Sequence, residues 1–144
     1  MVRRVVVDAS VVVKWYLNEE WREESILLRD DYIEGKVELI APSIMPFEVL
    51  NAIRYSRRQI PIKTLEDIAE SLSLYNIKLY NLIGDYAKNA SRISLEYDIT
   101  IYDASYLALA MQEKTVLYTA DKKLINMLDG EILKYIRHIT QYPS

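Results

Sequence analysis

Four acidic residues occupy positions where a plain surface carboxylate is not expected. Asp8 directly follows an apolar run, and Glu48 sits inside the apolar stretch IMPFEVLNAI. Asp103 begins the apolar segment YDASYLALA, and Asp121 lies two residues beyond the end of the run TVLYT. Singly, each has an ordinary explanation. Asp103 and Asp121 suit helix N-caps, Asp8 could cap the segment after it, and Glu48 could reach solvent from a helix edge. Those explanations account for each acid but not for their joint placement. Brought to one place, the four would repel unless protonated or neutralised by a cation. Carboxylates without histidine favour a hard, oxygen-seeking ion, Mg²⁺ or Mn²⁺, and phosphoryl chemistry. Ser10 is placed to donate to a carboxylate or a bound phosphate, and Thr119 to do the same for a metal-bound water. Turn or cap bonding is the plainer reading of both.

The rest of the composition closes off competing chemistries. The chain has 144 residues, no cysteine and one histidine, His138. There is thus no disulfide framework, no thiolate nucleophile and no multi-histidine metal site. His138 reads as a surface or edge-strand residue. The 3 glycines form no GxGxxG or GxxxxGK[ST] motif, which counts against a dinucleotide-binding dehydrogenase. A formal net charge of -3 argues against a general nucleic-acid-coating protein and permits a local basic patch. A hydrophobic content of 51% excludes disorder, and the length suits one domain. No apolar run is long enough to span a membrane. MVRRVVVDAS reads as a strand and not as a signal peptide, so the expected location is the cytoplasm.

The positioning elements follow from periodicity and punctuation. Strands are expected at 5–7, 37–41, 76–79 and 115–119, with a final edge strand at 134–138. Residues 11–17 read as a loop or short helix, and 21–33 as a surface helix ended by Gly35. Ser43 is the expected N-cap of a helix over 44–58, with Pro46 in its first turn and Phe47, Leu50 and Ile53 or Ala52 inward. Beyond the break at Pro61, helices are expected at 64–72, at 85–96 with Tyr86, Ala90, Ile93 and Tyr97 on one face, and from Asp103 to about Gln112. Leu107, Ala110 and Met111 face inward on the last of these, and one more helix covers 121–128. This alternation favours a parallel sheet covered by helices on both faces, with a helical excursion at about 44–73. In such a sheet the strand C-terminal ends share one edge, where ligands bind. Asp8 and Asp121 belong to that edge, as do Glu48 and Asp103 in early helical turns.

The segments VVVDASVVVKW, SIMPFEVLNAI, IYDASYLALA and LYTADKKL together resemble the PIN-domain ribonucleases, and specifically the VapC-type toxins of prokaryotic toxin–antitoxin pairs. The resemblance covers nearly the whole chain. It implies an α/β fold, a three-layer α/β/α sandwich with a mostly parallel, about five-stranded sheet, as a single nuclease domain over 1–144. It implies that Asp8, Glu48, Asp103 and Asp121 bind metal, with Thr119 and Ser10 as polar helpers. The implied activity is Mg²⁺- or Mn²⁺-dependent endoribonucleolytic hydrolysis of RNA, leaving a 5′ phosphate and a 3′ hydroxyl. The implied partners are a second copy of the chain, as a homodimer, and a small cognate antitoxin. An RNA-processing PIN nuclease outside such a pair and a non-catalytic PIN-like interaction domain remain the alternatives.

An acidic chain that holds RNA needs local cations. Arg54, Arg57 and Arg58 follow Glu48, with Arg54 and Arg58 expected on one helical face. Lys14, Lys122 and Lys123 lie close in sequence to Asp8 and Asp121. Lys14, Arg54, Arg58 and Lys122 are therefore the candidate RNA contacts. Trp15 and Tyr16 suit core or dimer packing better than base stacking. The 12 tyrosines against 1 phenylalanine suit half-buried surfaces, those from Tyr75 to Tyr106 in particular, and support an interface.

Overall fold

The structure, a computed structural model, describes residues 2–143. Its central strand is β1 (Arg3–Val7), where Val5, Val6 and Val7 are fully buried. A continuous β-branched run of this kind suits a strand covered on both faces. On one side of β1 lie β2 (Val37–Pro42) and then β3 (Lys78–Tyr80). On the other lie β4 (Leu117–Thr119) and then β5 (Ile136–His138). The order is β3-β2-β1-β4-β5, and every pairing is parallel. The expected α/β sandwich with a five-stranded sheet is present, parallel throughout.

Helices α1 (Ala9–Val12), α2 (Arg22–Ile33), α3 (Met45–Arg54), α4 (Ile62–Leu74), α5 (Gly84–Tyr97), α6 (Ile101–Gln112) and α7 (Lys122–Asn126) cover this sheet. The short α1 continues into a 3-10 turn, Val13–Trp15. Trp15 is core, its indole N–H donating to the Ser25 carbonyl (3.0 Å), and the Tyr16 hydroxyl meets that of Ser71 (2.9 Å). Every residue of α6 from Ala104 to Ala110 is buried, so this helix is held on all sides and fixes whatever its first turn carries.

Several boundaries differ from expectation for local reasons. Asp103 does not open α6. Thr100 caps it, its hydroxyl accepting the Asp103 N–H (3.0 Å), so Asp103 is the third helical residue. Ser43 does not cap α3; Ile44 stands there, and the Ser43 N–H donates to the Tyr80 carbonyl (2.9 Å). Met45, Val49 and Ile53 form the buried stripe of α3, a four-residue spacing that leaves Phe47 70% exposed and Leu50 at the margin. The helix stops at Arg54, where the Ser56 hydroxyl takes the Ile53 carbonyl (2.6 Å). Arg57 and Arg58 thus lie in a bend, and Arg54 and Arg58 share no helical face.

Asn76 adopts a left-handed backbone and is excluded from β3, while a 3-10 turn over Gly130–Tyr135 delays β5. Met111 is exposed, although Leu107 and Ala110 are buried as expected. His138 ends the edge strand but is buried, not on the surface. Tyr86 and Tyr106 are also core residues, with the Tyr86 hydroxyl donating to the Ser105 carbonyl (2.8 Å).

Candidate active site

Because β2 and β4 leave β1 on opposite sides, the strand order reverses at β1, the place where open parallel sheets leave a crevice beyond the strand carboxyl ends. Asp8 is the first residue past β1. Its backbone is extended, its N–H donates to the Tyr118 carbonyl of β4 (3.1 Å), and its own carbonyl starts α1. Its side chain caps nothing and is free to face the crevice edge. Asp8 Oδ2 accepts from Ser10 Oγ (2.5 Å) and from Thr119 Oγ1 (2.8 Å). Both hydroxyls also accept: Ser10 Oγ from the Ala120 N–H (3.0 Å), Thr119 Oγ1 from the Asp121 N–H (3.0 Å). Ser10 and Thr119 therefore tie the end of β1 to the end of β4 and fix the Asp8 carboxylate.

Asp121 caps α7 through Oδ1, which accepts the Leu124 N–H (3.1 Å). Its capping explanation is thus correct and compatible with a place at the site, because one carboxylate has further acceptor capacity. Glu48, in the first turn of α3, accepts from the Tyr106 hydroxyl at Oε1 (2.7 Å). Tyr106 is one helical turn beyond Asp103, so α6 presents an acid and the anchor of a second acid on one face. Sequence reasoning placed Tyr106 among interface tyrosines. The three-residue spacing from Asp103 was the signal that could have assigned it to the site.

The electrostatics show how closely the acids sense one another. Burial raises the pKa of Asp8; hydrogen bonds from Ser10 and Thr119 pull it back, and the charge of Asp121 adds to the rise. Glu48 is raised by burial first, then by Asp8 and Asp103. Asp103 is pushed up to about 6, again by burial first, then by Asp8 and Asp121. Burial and the charges of Asp8 and Glu48 also push the Tyr106 hydroxyl up, so it remains protonated and donates. Among the described residues, none of the four acids has a lysine or arginine ion-pair partner.

Repelling, half-desolvated carboxylates with only oxygen donors fit a hard divalent cation. Among the described residues, no three His, Asp or Glu side chains are already gathered as a finished ion cage. The fit rests on the donor chemistry and the mutual repulsion.

The two borders of the crevice differ. Beside α3 and α6 is an apolar pocket of about 460 Å³ lined by Phe47, Tyr80, Leu82, Ile101 and Tyr102, with Ser43 and Ser105 among its polar groups. Beside β4 and β5 are Lys122, Lys14, Trp21 and His138. The candidate RNA contacts are accordingly unlike one another. Lys122 is exposed, directly after Asp121. Lys14 is buried and paired with Glu19 (3.1 Å). Arg54 is exposed at the end of α3 with its guanidinium over the Tyr55 ring (4.6 Å), and Arg58 is exposed in the following bend.

A parallel sheet with acids at its switch point places the chain in the class of doubly wound α/β proteins. The comparisons narrow it. The PIN domain family model matches residues 5–128, and the chain belongs to that family. It is similar to Ribonuclease VapC3 of Pyrobaculum aerophilum, 28% identical over 127 residues, covering 84% of this chain and 92% of that protein. Two solved structures share the fold. FitAcB from Neisseria gonorrhoeae has a TM-score of 0.69 at 15% identity, over 95% of this chain and 99% of that one. A toxin-antitoxin complex from Klebsiella pneumoniae has a TM-score of 0.59 at 18% identity, over 83% and 88%. No helix among the described residues is long and apolar enough to cross a membrane.

Proposed function

We propose that the chain is a divalent-metal-dependent endoribonuclease that hydrolyses RNA phosphodiester bonds, acting as the toxin of a toxin–antitoxin pair. The observation that carries this reading is the set of mutually repelling acids without ion-pair partners at the switch point. Similarity to Ribonuclease VapC3 supports RNA as the substrate, and similarity to a toxin-antitoxin complex supports a small antitoxin partner. Asp8, Glu48 and Asp103 would hold Mg²⁺ or Mn²⁺, with Asp121 completing the site or holding a second ion. When bound, the ion supplies charge for the phosphate and lowers the pKa of an attacking water.

The chain's own groups prepare the site. Ser10 and Thr119 are positioning residues: they donate to one oxygen of Asp8 and leave the other for a ligand. Tyr106 does the same for Glu48. Burial in the crevice strengthens each of these charge interactions. Lys122 and Arg54 are the reading's RNA backbone contacts, joined by Arg58, and Lys14 supports that side from within. Residues 1–144 act as one nuclease unit in the cytoplasm, with α3 and α4 as its helical excursion. The chain functions as a homodimer through the exposed apolar side chains beside α3 and α6, where Phe47 is 70% and Tyr102 56% exposed. A monomer seldom leaves a large contiguous apolar patch uncovered.

The test is cleavage of total cellular RNA by purified protein with and without Mg²⁺ or Mn²⁺, with new 5′ ends mapped and Asp103→Asn run alongside. Discrete metal-dependent ends, absent with Asp103→Asn, are expected. Equal cleavage by that variant would sink the assignment.

A further inference from the structure

Trp21 stands outside every role assigned so far, and its geometry is costly. Its backbone is left-handed (φ 65°, ψ 22°), a conformation bulky residues rarely adopt. Such outliers persist only where the surroundings hold them, and they gather at functional sites. Here the surroundings do hold it. The Trp21 carbonyl accepts from the Ser25 N–H (3.2 Å) and hydroxyl (3.0 Å) at the start of α2. Next door, Arg22 Nε donates to the Lys14 carbonyl (3.0 Å), tying this corner to the 3-10 turn that continues from Asp8 and α1.

The indole lies within cation–π reach of two ammonium groups, Lys122 Nζ at 4.9 Å and Lys14 Nζ at 5.6 Å from the ring centroid. The His138 ring meets it edge-on at 4.4 Å and 86°. His138 is itself buried, and its Nε2 has no hydrogen-bond partner among the described residues. The lysines are not equivalent. Lys14 is buried and held by Glu19, whereas Lys122 is exposed and has no carboxylate partner within ion-pair distance among the described residues.

Lys122 immediately follows Asp121, and His138 pairs in register with Thr119. The cluster therefore borders the acids on the β4–β5 side. A free ammonium beside an acidic cluster would ordinarily fold back onto a carboxylate. The Trp21 ring gives it a competing attractive surface that leaves its N–H donors unspent.

We propose that Trp21 is a positioning residue that holds the Lys122 ammonium beside Asp121 as the contact for an RNA phosphate neighbouring the scissile one. The inference rests on the ribonuclease reading and names a residue by which that site grips its substrate. Phosphate contacts fix register without reading sequence, so this flank sets where the strand lies and not which bases it carries.

The test uses the full chain carrying Asp103→Asn, chosen to hold RNA without cutting it, and a labelled single-stranded RNA in Mg²⁺ at several salt concentrations. Fluorescence anisotropy reads affinity. Adding Lys122→Gln should weaken binding about fivefold at low salt and flatten the salt slope by about 0.7, the loss of one single-strand phosphate contact. Trp21→Leu should flatten the slope by a similar amount although it removes no charge, which a merely structural role would not do. Trp21→Phe, which keeps an aromatic face, should restore most of it. The double variant should be no worse than Lys122→Gln alone.

Trp21→Asn, tolerant of the left-handed backbone, gives the same reading if Trp21→Leu does not fold by circular dichroism. A slope unchanged by Trp21→Leu or Trp21→Asn in folded protein overturns the proposal, whether or not Lys122→Gln changes it. Failure of the Asp103→Asn parent to bind RNA overturns it together with the ribonuclease reading. Binding that responds to Trp21 while the unsubstituted chain cuts no RNA upholds the subsite and rejects the catalysis.

Discussion

On the β5 side of Asp8 the crevice is bordered by an ammonium group held on an indole; on the β3 side it is bordered by exposed apolar side chains. The two borders lie beside one set of acids, yet they suit different ligands. Charge on a rigid aromatic support suits a polyanion that arrives and leaves. Phe47, Leu82, Ile101 and Tyr102 suit a surface that stays covered. The difference teaches that, under the proposed function, gripping a substrate and joining a partner fall to opposite borders of one site, while α6, packed on β1, β2 and β4, joins the two sides.

The centre is the reference against which both borders are judged. Asp8→Asn should lower metal-dependent RNA cleavage by at least about a hundredfold, measured as initial rates at saturating Mg²⁺. A border variant that matched this loss would belong to the centre, and the comparison would fail. Thr119→Val should come next. It removes the donor to Asp8 and the acceptor for the Asp121 N–H, and should raise the Mg²⁺ concentration needed for half-maximal cleavage about tenfold or more.

Phe47→Glu sharpens the contrast from the apolar side. It should shift sedimentation toward monomer while leaving the salt slope of RNA binding as it was, and it should barely change monomer stability, since Phe47 is exposed. A changed salt slope would mean that the apolar border also holds RNA.

The smallest expected effect concerns pH. Asp103 titrates at about 6 when folded, against an ordinary 3.8, so the folded chain binds its proton more tightly than the unfolded chain. Stability from this group is thus fully present below pH 4, declines as pH rises, and has been lost above about pH 6. Asp103→Asn carries no such penalty. In metal-free buffer it should be more stable than the parent by about 1 kcal/mol at pH 7.5, after allowing for solvent screening of this half-exposed group. The difference should vanish at pH 4 and shrink when Mg²⁺ is added to the parent at pH 7.5. Thermal melts in EDTA at the two pH values check it, and equal melting temperatures at pH 7.5 would show that the acids do not strain the metal-free fold.

Much of this architecture was legible from local chemistry. Three valines before Asp8 carried the pattern of a doubly covered strand, and Pro46 and Pro61 delimited α3 and the stretch before α4. The acids stood out as candidates because each interrupts or adjoins an apolar run. What periodicity misjudged was rotation and exact ends. Phe47 is as apolar as Val49 and sits at a plausible spacing, so nothing local said which stripe the sheet would cover. The end of α3 depended on the Ser56 hydroxyl reaching the Ile53 carbonyl, and the start of α6 on which of Thr100 and Asp103 would cap.

The sequence by itself determined that acids would stand at strand ends and helix starts, since those positions follow from runs of side chains along one chain. Only the tertiary structure decided which groups serve them. The Tyr106 hydroxyl finds Glu48 across 58 positions, Thr119 finds Asp8 across 111, and Trp21 gathers Lys14, Lys122 and His138 from three separate segments. Hydrogen bonds and ring contacts act over a few ångströms in space whatever the separation along the chain, and a one-dimensional pattern carries no record of those distances.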